Sequence, residues 1–239
     1  FGENEGRDFV LDAAQCPKPI IVLKAGKTTE GSRAVSSHTA SLAGDHKVFS
    51  AVLAQHGVVE AINELELVSF CESLSCYPKA ISGKVGIITG SGGHGALAVD
   101  VCTVQGLKIP NLTETQKKEI RKQLSTSVQT IAALDNPIDL TGSAVDDDFV
   151  FAAKALSQVP EVDCIIVLLL PYLPGITSDL GARLSHVSRR ENMPLVAYVP
   201  HVEKYRMLIE GFELNRIPVS SSIEGAVLMI EAMRRCQPC

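Results

Sequence analysis

Short apolar runs alternate along the chain with segments whose apolar residues recur every three or four positions. Runs of strand length cover residues 19–23, 84–89, 162–170, 194–198 and 217–219. Several are continuous rather than alternating, the pattern of parallel strands covered on both faces. Helical periodicity marks 8–14, 45–56, 93–105, 113–124, 146–158, 178–190, 202–213 and 222–235. In 45–56 it places Val48, Val52 and Leu53 on one stripe, and in 93–105 it does the same for Leu97, Val101 and Val104. Thr113 followed by Glu114 and Gln116 has the form of a helix N-cap with a capping box. Strands alternating with helices of this length predict an α/β protein with a mainly parallel sheet.

The best domain boundary is 77–83, where Pro78, Ser82 and Gly83 interrupt two patterned regions. Downstream, four strand runs and five or six helices suffice for a complete doubly wound domain. Upstream there is one convincing strand, and a single buried strand cannot form a sheet. Residues 1–79 are therefore expected to be the end of a domain whose beginning lies elsewhere, and the chain to be a fragment. No internal repeat or low-complexity segment is evident.

Composition narrows the function classes. The 239 residues are 46% hydrophobic with a formal charge of −5, and the sequence pI of about 5.7 describes a surface that repels phosphate backbones, against a nucleic-acid role. No apolar run approaches the roughly 18–20 residues needed to cross a bilayer, and nothing at the start resembles a signal peptide. The cysteine count is seven, an odd number. Cys71, Cys76, Cys102 and Cys164 lie in apolar or helical surroundings and read as reduced, buried residues of a cytoplasmic protein. Cys236 and Cys239 form a C-x-x-C pair, but with no second Cys/His pair nearby it reads as inert.

Three stretches carry candidate chemistry. In LKAGKTTEGSRAVSSHTASLAG, residues 23–44, an apolar strand enters Gly26 and a small, polar, basic loop. His38 follows, then small residues from Thr39 to Gly44 able to start a helix that Ser37 or Thr39 can cap. A helix N-terminus favours anions, so a histidine there is suited to accept a phosphoryl group; a loop histidine without chemistry is the plainer account. In GKVGIITGSGGHGALAVD, residues 83–100, a strand ends at Thr89, Gly90-Ser91-Gly92-Gly93 turns, and a helix begins near His94. The glycines permit close approach of a ligand to the backbone, although the stretch lacks the lysine of a P-loop and the spacing of a dinucleotide fingerprint. In 135–142, Asn136-Pro137 and Gly142 bracket a structured turn, and Asp139 is either functional or a turn-stabilising carboxylate. His46, His56, His186 and His201 show no ligand spacing, and Asp146-Asp147-Asp148 suits a helix start without a metal.

Gly26, Arg33 and the run Ser36-Ser37-His38-Thr39-Ala40-Ser41-Leu42-Ala43-Gly44 resemble the phosphohistidine segment of ADP-forming (NDP-forming) acetyl-CoA and acyl-CoA synthetases, relatives of succinyl-CoA synthetase. The likeness continues through GIITGSGGHGALAVD and the segment Asn136 to Gly142, in the family's order, over nearly the whole chain. The resemblance implies that 1–79 is the C-terminal part of the His-bearing ligase domain and that 80–239 is a flavodoxin-like domain of the same superfamily. It implies the reaction acid + CoA + ATP = acyl-CoA + ADP + phosphate through an acyl phosphate, with His38 as the covalent phosphoryl carrier. Ser37, Thr39 and Ala40 on one side, and Ser91, Gly92, Gly93 and His94 on the other, would hold the phosphate, with Gly26, Arg33, Asn136 and Asp139 in support and no metal ligand. CoA and ATP/ADP with Mg²⁺ serve the complete enzyme, none held tightly by this segment. The implied partners are a CoA-binding domain and an ATP-grasp domain or beta subunit, within a cytoplasmic oligomer that engages neither nucleic acid nor membrane.

The sequence departs from the family in three ways. It has no CoA-binding region and no ATP-grasp region, and the family's glutamate that steadies the phosphohistidine would fall at or before Phe1. The segment alone is therefore expected to show no turnover. The competing reading is a non-catalytic acyl-CoA-sensing module of a protein acetyltransferase. Such modules lack the histidine, so His38 counts against it. A plain scaffold is the third reading.

Overall fold

The structure is a computed structural model that describes residues 5–38 and 45–236, with side chains described through Ser36 in the first stretch. It divides into two compact units, Phe1–Ala80 with Ala232–Cys239, and Ile81–Glu231.

The first unit contains α1 (Glu5–Gln15), β1 (Ile21–Leu23), α2 (Thr29–His38), α3 (His46–Gln55), β2 (Val59–Ala61) and α4 (Glu64–Cys76). β1 and β2 pair in parallel, with Ile21 opposite Val59, Val22 opposite Glu60 and Leu23 opposite Ala61. β2 corrects the expectation of a single upstream strand. It is three residues long, between Gly57 at φ +71° and the helix cap Asn63, too short for any periodicity to register. The core gathers Val10, Ala13, Leu53 and Val58 with Phe9, Ile20, Val22, Phe49 and Val52. The stripe expected on α3 is thus only partly buried: Leu53 is enclosed, while Val48 is 62% exposed. A second difference concerns 29–38, read as loop but helical here. Thr28 explains the start of α2, because its hydroxyl accepts the Gly31 N–H at 3.0 Å and satisfies a first-turn donor.

The second unit is a six-stranded sheet in the order β4-β5-β3-β6-β7-β8. Its strands are β3 (Val85–Thr89), β4 (Ala133–Leu134), β5 (Ile138–Asp139), β6 (Cys164–Leu168), β7 (Leu195–Tyr198) and β8 (Val219–Ser220), interleaved with α5 (Gly92–Val104), α6 (Glu114–Gln123), α7 (Thr126–Gln129), α8 (Asp146–Ser157), α9 (Leu180–Glu191), α10 (Arg206–Leu214) and α11 (Ile223–Arg235). All pairings are parallel except β4 with β5. Every residue of β3 and β6 is buried, which accounts for their unbroken apolar runs. From β3 the chain crosses to β5 on one side, and later elements build outward through β6, β7 and β8 on the other. Right-handed crossovers in opposite directions place α5 on one face and α8, α9 and α10 on the other, the flavodoxin-like doubly wound arrangement.

The periodicity of α5 misled. Leu97 and Val104, expected in the core, are exposed, and the face toward the sheet is instead Gly95, Ala98 and Cys102. A Cβ on Gly95 would lie 3.2 Å from both Pro137 Cβ and Thr89 Cγ2. The helix therefore sits too close to the sheet for large side chains. At α6 the capping box is present as read, with Thr113 and Gln116 capping each other's backbone N–H. Among the described cysteines, Cys102 and Cys164 are buried as expected, whereas Cys71 is exposed on α4. Burial pushes the Cys102 thiol up to about 12. Cys164 is likewise raised, by burial and then by the charge of Asp163 and the neighbouring Cys102, so both thiols are held protonated and inert.

Asn136 locks β5 onto β3. Its side-chain oxygen accepts the Ile87 N–H at 2.9 Å, and its nitrogen donates to Val85 O at 2.9 Å and Pro110 O at 3.0 Å. The Asn136–Pro137 peptide is cis. Asn136→Ala removes the side-chain partner of two buried backbone groups, Ile87 N–H and Val85 O, and of the partly buried Pro110 O. At about 1–3 kcal/mol for an unsatisfied group, and with partial relaxation, the expected loss is about 3 kcal/mol, read as a lower urea midpoint at unchanged slope for the whole chain.

Candidate functional site

β3 ends at the point where the sheet reverses its winding, and the crevice outside the carboxyl ends of strands at such a switch is where doubly wound folds bind ligands. The backbone leaving β3 turns through Gly90 and Ser91 into α5. Thr89 stabilises the turn locally: its hydroxyl donates to Ser91 O and accepts the Ser91 N–H, both at 3.0 Å. The Ser91 side chain makes no capping hydrogen bond. The first-turn N–H groups of Gly92, Gly93 and His94 therefore have no intrahelical acceptor and point out of the helix end, an anion-binding geometry.

Three side chains converge on this turn. Asp139, at the end of β5, accepts the Thr141 N–H at 2.9 Å through Oδ1. Its Oδ2 lies where a Cβ on Gly92 would come within 3.0 Å, so glycine is needed to let the helix start approach the carboxylate. His94 stacks on Tyr198, with ring centroids 5.8 Å apart and planes inclined by 30°. Burial raises the Tyr198 phenol, and the charge of Glu224 at the start of α11 adds to the shift, so the ring presents a neutral hydroxyl. Tyr198 was not singled out from sequence. Its position at the end of β7, a strand beyond β6, was the one available signal.

In the first unit the groups around β2 form a second cluster. Glu60 Oε1 accepts from His46 Nε2 at 2.8 Å and lies 3.6 Å from Lys27 Nζ, and its Oε2 accepts the Ser50 hydroxyl. Lys27 also donates to Ala61 O at 3.0 Å. Burial alone pushes the Glu60 carboxyl up. The hydrogen bonds from Ser50 and His46, with the charges of His46 and Lys27, outweigh it and hold the group below the ordinary carboxylate range. The absence of ligand spacing around His46 in the sequence gives no sign of this partnership. His46 is the first residue of α3, behind the N-cap Asp45.

The candidate residues fall into two groups. Ser91, Gly92, Gly93, His94 and Asp139 meet at one edge of the second unit, while Asn136 lies at the start of β5, beside Val85 and Ile87, where it supports the fold. Gly26 adopts φ +75° at the entry to α2, with Val35 packed over it. Arg33 pairs with Glu30 at 3.6 Å on an exposed face of α2. His38 is the last residue of α2, at the carboxyl end of a helix. The helix expected to begin beside it, with Thr39 and Ala40, lies outside the described residues, as do the side chains of Ser37 and His38. Among the described residues no group of three or more His, Cys, Asp or Glu is arranged to hold a metal ion, and no helix is long and apolar enough to cross a membrane.

Residues 2–74 match the model of the succinyl-CoA ligase like flavodoxin domain. Two alpha subunits of ADP-forming acetate–CoA ligases from Pyrococcus furiosus are similar in sequence. Subunit alpha of ligase II is 38% identical over 179 residues, covering 74% of this chain and 38% of the relative. Subunit alpha of ligase I is 32% identical over 238 residues, covering 97% of this chain and 50% of the relative. A dinucleotide forming acetyl-coenzyme A synthetase 1 from Ca. Korarchaeum cryptofilum, solved in complex with phosphate and ADP, superposes with a TM-score of 0.84 at 25% identity, over 98% of this chain and 51% of that one. The chain thus spans about half or less of the length of these proteins.

Two predictions follow from the geometry. Because the Glu60 carboxyl is depressed in the folded chain, its contribution to stability is complete above the unfolded carboxylate value and is lost as pH falls through the depressed folded value. Thermal melts of the whole chain from neutral to acid pH should show a smaller acid loss in Glu60→Gln than in the wild type. At the other cluster, Asp139 sets a like charge beside the anion-binding turn. Asp139→Asn should tighten inorganic phosphate binding several-fold in calorimetric titration, and Gly92→Val should abolish it.

Proposed function

Because this chain is related in sequence and fold to the alpha region of ADP-forming acyl-CoA synthetases, we propose that it is the phosphoryl-carrying segment of such an enzyme, with His38 as the carrier. The observation that carries the reading is that similarity to the ligase alpha subunits runs through the His38 segment, the turn after β3 and the Asn136–Gly142 stretch within a single alignment. In the direction of acyl-CoA formation, an imidazole nitrogen of His38 attacks the terminal phosphorus of ATP, and ADP leaves with the electrons of the broken P–O bond. A carboxylate oxygen of the acid then takes the phosphoryl group, which frees His38 and gives an acyl phosphate. The sulfur of CoA attacks the acyl carbon and inorganic phosphate departs. Splitting one transfer into steps through a covalent intermediate is the purpose of the histidine.

This chain's own part in those steps is electrostatic. The amides of Gly92, Gly93 and His94, at the start of α5, are oriented donors for phosphate oxygens, and they need no reorganisation as charge shifts during transfer. His94 is held above the turn by Tyr198. Asp139 orders the Thr141 amide and sits against Gly92, so its role is to shape the turn rather than to bind the anion. Mg²⁺ arrives with the nucleotide. CoA-binding and nucleotide-binding regions come from elsewhere in the complete enzyme, which acts as a cytoplasmic oligomer, and the segment alone is expected to be without turnover. The acyl-CoA-sensing alternative finds no support among the relatives, which are ligases.

The test uses the complete enzyme with γ-labelled ATP. The wild type should gain an acid-labile, base-stable phosphate that chases into acyl phosphate when the acid is added, and His38→Ala should gain none. Labelling that persists in His38→Ala ends the reading.

A further inference from the structure

The stretch of chain that carries His38 leaves the sheet after β1 and returns at α3, and one carboxylate meets it at both ends. Lys27 lies just before α2, and His46 is the first residue of α3. Both contact Glu60 Oε1, at 3.6 Å and 2.8 Å, while Ser50, one turn further along α3, bonds Oε2. Glu60 itself stands in β2 opposite Val22 of β1, where parallel pairing fixes its backbone, and its side chain is only 12% exposed. From α11 the Arg235 guanidinium approaches the Glu60 carbonyl at 3.5 Å and the Glu66 carboxylate at 3.9 Å.

We propose that Glu60 is a positioning residue that fixes the base of the His38-bearing stretch by holding Lys27 and His46 on one rigid carboxylate. The inference rests on the phosphoryl-carrier reading of His38. A residue that must present a covalent group to its reaction partners is attached to a chain whose two ends have to start from a fixed place, because small displacements of a reacting group cost large factors in rate. Three features make Glu60 suited to this. It is anchored in a strand rather than a loop, its two oxygens serve different partners, and the cation at one end and the imidazole at the other share the same oxygen. Loss of either contact leaves a buried carboxylate short of a partner, so the two ends are coupled through it.

The experiment measures single-turnover phosphorylation of His38 in the complete enzyme from labelled ATP. Glu60→Gln keeps the size of the side chain and removes its charge, and it should slow labelling tenfold or more with little change in the KM for ATP. Lys27→Met should act in the same direction and Lys27→Arg should restore the rate. The double variant Glu60→Gln with Lys27→Met should be no slower than the slower single, because both act through one contact. Wild-type rates in both singles, or effects that multiply in the double, overturn the inference. A rate loss that merely follows the folded fraction, measured by circular dichroism on the same samples, overturns it too. Absence of label on His38 in the wild type overturns the carrier reading and this inference with it; label in the wild type with unaltered variants overturns this inference alone.

Discussion

The second unit depends on one constraint: a central strand, β3, that is covered on both faces and from which the sheet grows in two directions. Nothing large fits where α5 lies on it, so the helix face toward the sheet is Gly95, Ala98 and Cys102, while Leu97 and Val104 turn outward. The same closeness leaves α5 starting directly above the strand end, where its unpaired amides and the Asp139 carboxylate of the adjacent strand share one small space. The candidate phosphate site is thus a consequence of how the sheet changes direction.

This constraint also explains what was legible in the sequence. The long buried strands β3 and β6 announce themselves as unbroken apolar runs, and α6 by its capping pair, because each signal is local. The glycine turn was readable for the same reason. β2, β4 and β5 were not: β1 and β8 are as short but lie in uninterrupted apolar runs, whereas Glu60 sits in the middle of β2 and Asp135-Asn136-Pro137 separates β4 from β5, so each exists by pairing with a neighbour rather than by a run of its own. α4 was overlooked although Asn63 caps it, accepting the Glu66 N–H at 2.8 Å. On α5 the periodicity was real but its sign was reversed by close packing, which apolar spacing alone does not reveal. Tyr198 and Glu60 were invisible because their significance comes from partners far away in sequence. For His38 the local signal, small residues able to start a helix beside it, left a plain loop histidine as the simpler account, and the resemblance decided the reading.

Several acidic side chains in the fold serve the backbone. Asp163 accepts from the amides of Ser82 and Lys84, Asp148 from those of Ser125 and Val145, and Asp146 from that of Thr177. Each replaces solvent for a donor that a turn would otherwise strand. The apparent acidic cluster at the start of α8 divides into a buried pair of this kind and a surface partner for Arg183. Glu60 stands apart because its partners are side chains from the two ends of one excursion of the chain.

The distribution of cations bears on how a transferred phosphate would be held. Around the His38 stretch, Lys27 and His46 are committed to Glu60, Arg33 to Glu30, and Lys24 to the carbonyls of Ala25 and Gly26 while lying over the Phe49 ring. A lysine or arginine fixed on the phosphate would deepen the well of the phosphohistidine and slow its departure in both directions. Backbone amides at a helix start offer phosphate oxygens partial charges instead of a full one, and so hold a transferred group less tightly. A carrier that must both take and give a phosphoryl group works best when the intermediate is neither much more nor much less stable than its neighbours. On the proposed reading, engaging Lys27 and Arg33 with carboxylates and Lys24 with carbonyls, and leaving the anion to neutral donors, is how this sequence meets that requirement.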